Sequence, residues 1–92
     1  MLTRVSIFES VMKYPIRTTQ QLAMILQGCR KQVGLTQKQT AGKVGLLPKT
    51  ISLLETDPDG SSVASLFKLL SALDLELVLQ SKNTKKSSGD EW

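Results

Sequence analysis

The stretch from Gly34 to Glu55 constrains the fold more than any other, because it reads as two short helices meeting at a glycine turn. Thr36 followed by Gln39 is a capping box, in which each side chain satisfies an otherwise orphaned amide at the start of a helix. The inward face of that helix is Thr40, Ala41 and Val44, with Ala41 small enough to let a second helix approach closely. Gly45 stands where a helix end needs a left-handed residue, which glycine accepts without a side-chain clash. Pro48 suits the first position of the next helix, where a missing N–H costs nothing, and Ile51 with Leu54 supplies a buried i, i+3 stripe.

Two helices so joined form a helix-turn-helix. In that motif the second helix lies in the major groove with its N-terminal residues on base edges, while the first crosses the backbone. Pro48, Lys49, Ser52 and Leu53 are then exposed. Lys49 can donate to guanine O6 and N7, Ser52 can donate or accept, and Leu53 or the Pro48 ring can meet a thymine methyl. Gln37 and Lys38 fall at the start of the first helix, where free amides and the helix dipole attract a phosphate. The alternative is a helical hairpin with a merely solvated polar face.

Charge placement favours the nucleic-acid reading. The net charge is +4, yet no carboxylate occurs between Glu9 and Glu55, an interval that holds Lys13, Arg17, Arg30, Lys31, Lys38, Lys43 and Lys49. A basic face without acids is the footprint of a polyanion binder, since neutralising phosphates releases counterions and supplies affinity for any sequence. The residues expected on phosphates are Gln37, Lys38, Lys43, Arg30 and Arg17.

Other classes are disfavoured. One cysteine and no histidine leave no internal disulfide, no zinc site of the usual kind and no histidine-based catalysis. No glycine-rich phosphate loop or paired-carboxylate arrangement suggests an enzyme, and no cofactor is expected. No apolar run reaches membrane length, and Arg4 and Glu9 interrupt the N-terminal apolar segment where a signal peptide needs continuity, so a cytoplasmic location is expected.

Residues 1–17 read as an arm: Val5, Ile7 and Phe8 suit a strand, whereas Val5, Phe8, Val11 and Met12 suit a helix. Thr18 with Gln21 makes a second capping box, followed by Leu22, Ile25, Leu26, Cys29 and Val33 on one helical stripe that runs to about Gly34. Cys29 is expected as a small buried hydrophobe, and Arg30 and Lys31 either reach phosphate or cap solvent. After Glu55, Thr56-Asp57-Pro58-Asp59-Gly60 is turn chemistry. Ser61 or Ser62 then caps a helix with the stripe Val63, Leu66, Phe67, Leu70 and Leu73, with Phe67 expected in the core. From Leu75 to Gln80 the apolar residues alternate, as in a half-buried strand. A strand in a helical chain needs a mate, which the N-terminal arm or a second copy of the chain can supply; the alternative is that the preceding helix runs on through these residues. Residues 82–92 form a polar tail ending in Trp92, either a coincidental exposed residue or an anchor for another protein's pocket.

The run from Thr36-Gln37 through Ala41, Gly45 and Thr50-Ile51-Ser52 to Glu55 resembles the Xre/Cro, or lambda-repressor-like, helix-turn-helix family. The resemblance covers roughly residues 18–74 and implies an all-α domain of about five helices. The strand from Glu76 to Gln80, the Asp57-Pro58-Asp59 turn and the ending Glu91-Trp92 further resemble the HipB-type antitoxins of toxin–antitoxin operons. That likeness implies a homodimer joined through a C-terminal strand at residues 75–81, with Leu75, Leu77, Val78 and Leu79 at the interface. It implies a repressor of palindromic operators, with a HipA-like serine/threonine kinase toxin as partner and Trp92 in contact with it. It places operator contacts on Gln37, Lys38, Leu47, Pro48, Lys49 and Ser52. Leu47 and Leu53 depart from the family, which commonly has polar residues at both positions. The rivals are a phage-type repressor without a toxin, and a pure protein-interaction module.

Overall fold

The computed structural model describes residues 13–82, and the expectations for residues 1–12 and for Trp92 lie outside them. Among the described residues there are four α-helices and one 3-10 turn: α1 (Thr19–Gln32), α2 (Gln37–Val44), α3 (Pro48–Thr56), the 3-10 turn (Pro58–Gly60) and α4 (Val63–Ala72).

Both expected capping boxes form. The Gln21 amide donates to Thr18 Oγ1 at 3.0 Å and the Thr18 amide to Gln21 Oε1 at 3.2 Å. Thr36 and Gln39 exchange the same pair of bonds at 2.9 and 3.0 Å. These bonds set the first turns of α1 and α2 from local chemistry alone. The left-handed residues after those helices are Gly34, at φ +80°, and Gly45, at φ +72°. A side chain at either would be strained by the backbone itself. Leu47 caps α3 without a side-chain hydrogen bond, and Pro48 begins that helix. Ser62 caps α4 through the Ser65 amide at 3.0 Å.

α3 packs against both α1 and α2, and α2 also packs on α4. The core is Leu26 and Cys29 from α1, Ala41 from α2, Ile51 and Leu54 from α3, and Leu69, Leu70 and Leu73 from α4 and its end. Leu26, Ile51, Leu54 and Leu69 are each at most 1% exposed, and burial of a side chain of that size stabilises by about 1.5–3 kcal/mol. Thr40 is also sealed, and its hydroxyl donates to the Thr36 carbonyl at 2.8 Å, so its burial leaves no unsatisfied polar group.

Three residues expected on buried stripes are corrected here: Val33, Phe67, and Val63, which is 69% exposed. Val33 is exposed, because α1 turns Ala23, Leu26 and Arg30 inward and has ended by Val33. Phe67 is not core but 50% exposed: α4 buries Leu69 and Leu70, and Phe67 stands on the flank with Leu70, Leu75 and Leu77 around a surface groove. Residues 75–80 form no strand among the described residues. The helix does not run on either, because Asp74 takes a left-handed conformation, φ +61°, and the Leu75 amide returns to the Leu70 carbonyl at 2.9 Å. Leu75 packs on the core, whereas Leu77, Val78 and Leu79 are exposed, so a strand there has no edge to join among the described residues.

Candidate nucleic-acid interface

α3 has two faces set by its periodicity. Ile51, Leu54 and Glu55 turn inward, while Lys49 and Leu53 are exposed and Ser52 is half-buried between them. Lys49, Ser52, Leu53 and Thr56 follow one another at i, i+3, i+4 and i+7, so they form a continuous outer stripe. Leu47 and Pro48 are exposed at its N-terminal end, where no side chain caps the helix and the Thr50 amide donates to the Leu47 carbonyl at 2.9 Å. At the start of α2, Lys38 is exposed and Gln37 half-buried; Lys43 and Arg17 are exposed.

The described residues contain one ion pair, and it lies inside the domain rather than on this surface. Arg30 Nε donates to Glu55 Oε2 at 2.6 Å and Nη2 to Oε1 at 2.9 Å, a two-pronged pairing of fork and carboxylate. Arg30 Nη1 donates to the Leu35 carbonyl at 2.8 Å, tying α3 to the turn that launches α2. Hydrogen bonding to Glu55 holds the guanidinium above its ordinary pKa, against burial, which works the other way, with the charge of Glu55 adding to the rise.

Arg30 is thereby removed from the phosphate candidates: it is 8% exposed and its charge is already neutralised. The same pairing explains why Glu55, the carboxylate that closes the acid-free interval, does not dilute the basic surface. Its side chain is fully buried, so Lys31, Lys38, Lys43 and Lys49 remain exposed with no carboxylate partner among the described residues.

Glu55 itself was not singled out by sequence reasoning, although a signal existed. It falls on the buried side of α3, four residues after Ile51, and Arg30 falls seven after Ala23 on the buried side of α1. A core-facing acid and a core-facing base on neighbouring helices call for each other, since an unpaired buried charge is costly. The third partner was equally hidden: Gln37 Nε2 donates to Glu55 Oε1 at 3.2 Å.

Comparison with known proteins agrees with this geometry. Residues 26–80 match the helix-turn-helix family HTH_3. The chain is 36% identical over 72 residues to antitoxin HipB of Escherichia coli K12, covering 77% of this chain and 82% of that protein. Identity is also 36% to antitoxin HipB of Escherichia coli O6:H1, with 77% of each chain covered. Among solved structures, the HipA-HipB-O2-O3 complex contains a chain that superposes with a TM-score of 0.73 at 35% identity, covering 75% of this chain and 97% of that one. The HipB-O4 20mer complex gives 0.72 at 35% identity over the same shares. By sequence and by backbone alike, this chain belongs to the HipB antitoxins within the helix-turn-helix family.

Proposed function

We propose that this protein is a sequence-specific transcriptional repressor that binds palindromic operator DNA as a homodimer and serves as the antitoxin partner of a HipA-like kinase toxin. The observation that carries the reading is the outer stripe of α3, Lys49, Ser52 and Leu53, on a domain whose exposed lysines have no carboxylate partner among the described residues. Lys49 and Ser52, with Leu47, Pro48 and Leu53 around them, meet base edges; Gln37, Lys38, Lys43 and Arg17 hold phosphates. Relatives that have been solved with HipA and with a 20mer support both partners. Leu75, Leu77, Val78 and Leu79 form the dimer contact, in which residues 75–81 find in a second copy the strand edge that the described residues lack, and Trp92 meets the toxin. The division into arm (1–17), binding domain (18–74), pairing strand (75–81) and tail (82–92) follows from the same reading. No helix among the described residues is long and apolar enough to cross a membrane. A cytoplasmic, non-catalytic protein is the role these features support.

The test is selection of duplexes from a random-sequence pool by the full chain, followed by salt titration. The expected product is an inverted repeat with half-sites about one helical turn, or a multiple of it, apart. Its affinity should fall steeply with salt, and Lys38→Ala should flatten the slope of log affinity against log salt by about one. Failure to enrich any duplex, or salt-insensitive binding, would count for the protein-interaction module instead. Co-purification of the native protein without a kinase would point to the toxin-free repressor.

A further inference from the structure

The Glu55 carboxylate lies at the meeting point of three elements. Oε2 is taken by Arg30 Nε, and Oε1 is shared by Arg30 Nη2, at 2.9 Å, and Gln37 Nε2, at 3.2 Å. The arrangement is asymmetric. Arg30 and Glu55 are buried, whereas Gln37 is half-buried at the first position of α2, the edge from which phosphate contacts are expected. An ionised carboxylate only accepts hydrogen bonds, so the amide of Gln37 can turn only its nitrogen toward Glu55. That leaves its oxygen and its second N–H for a ligand. Among the described residues no other hydrogen bond involves this amide.

We propose that Glu55 is a positioning residue for DNA recognition: held rigid by Arg30, it fixes the amide of Gln37 in the orientation that presents one N–H to the duplex backbone at the start of α2. The inference rests on the DNA-binding reading above and names how one contact of that interface is set. A glutamine free to rotate spends part of its time offering its oxygen to a phosphate, where two acceptors repel; one anchored through its nitrogen keeps the remaining donor available. Where Arg30 and α3 keep their places, loss of the anchor reaches the duplex through Gln37. Because Gln37 carries no charge, its contact contributes affinity without counterion release.

The experiment is a double-mutant cycle on the full chain, using the inverted-repeat duplex recovered by selection, with affinities corrected for the folded fraction. Gln37→Met, which keeps the length but has no amide, should bind about tenfold more weakly, the scale of a hydrogen bond to a charged group, with an unchanged salt slope. Glu55→Gln should weaken binding to a similar degree, and adding it to Gln37→Met should bring no further loss. Additive losses, or wild-type affinity in Gln37→Met, would overturn the proposal. If Glu55→Gln does not fold, the wild-type side-chain amide of Gln37 decides by NMR. One of its two protons should be insensitive to temperature, as in an internal hydrogen bond, and freely exchanging equivalent behaviour of both would reject the anchor. A wild-type chain that binds no duplex at all would overturn the DNA reading itself, which separates the two failures.

Discussion

Helix α3 and the stretch 75–80 both show leucines to solvent, Leu53 at 44% on the one, and Leu77 at 51% with Leu79 at 90% on the other, yet the two are finished to different degrees. In α3 every exposed side chain has a buried counterpart behind it: Ile51 and Leu54 hold the helix to the core, and Glu55 locks its far end through Arg30. The backbone of α3 is a hydrogen-bonded helical ladder, so the outer stripe is held in place by the domain itself. Past Leu75 the other stretch has neither a helical ladder nor a paired edge among the described residues. A rigid face can be complementary to a duplex before it meets one; an unpaired apolar ribbon gains its order only on pairing.

The sharpest way to break the contrast is to cut the lock on α3. Glu55→Ala leaves Arg30 buried without its partner and should cost about 3–5 kcal/mol, read as a lowered urea midpoint with unchanged m-value. A loss below about 1 kcal/mol would mean that Arg30 escapes to water and that the end of α3 is not held by this pair. Next comes a matched pair of truncations under conditions where the chain is monomeric. Ile51→Ala should cost about 2–5 kcal/mol by opening a cavity, whereas Leu79→Ala should stay within about 0.5 kcal/mol, because Leu79 is 90% exposed. Equal costs in calorimetry would erase the distinction. The pairing of the ribbon itself is tested by Leu77→Pro with Leu79→Pro, which should shift sedimentation from dimer to monomer if the segment pairs between copies.

Smaller effects sharpen the reading of α3. Lys49→Ala should weaken operator binding by about 1–3 kcal/mol and relax base preference at its position, measured by repeating the selection; an unaltered preference would remove Lys49 from the base contacts. Leu47→Ser supplies the hydroxyl cap that α3 lacks and should raise thermal stability by about 0.5–1 kcal/mol; if Leu47 meets a base as proposed, selection should also show a changed preference. A melting temperature that does not rise would show that the bond from the Thr50 amide to the residue-47 carbonyl already serves in place of a side-chain cap.

Local chemistry alone determined much of this protein. The capping boxes at Thr18 and Thr36, the left-handed glycine at Gly45, Pro48 at the head of α3 and the inward Ile51 and Leu54 depend on interactions within a few residues, so they are legible in the order of amino acids. The family likeness rests on the same residues, and so does the exposure of Lys49, which follows from its phase relative to Ile51 and Leu54. What only tertiary structure decided is which partner each ambiguous residue meets. Arg30 reads as one more cation near the end of a helix until α3 swings Glu55 against it, and Phe67 reads as core until α4 settles with Leu69 and Leu70 inward. The helical period specifies a face but not its rotation against helices elsewhere in the chain, and a buried charge pair joins residues 25 positions apart in sequence. The alternation from Leu75 to Gln80 marks the limit in the other direction: its period is visible in the sequence, but a strand needs an edge to pair with, and the described residues provide none.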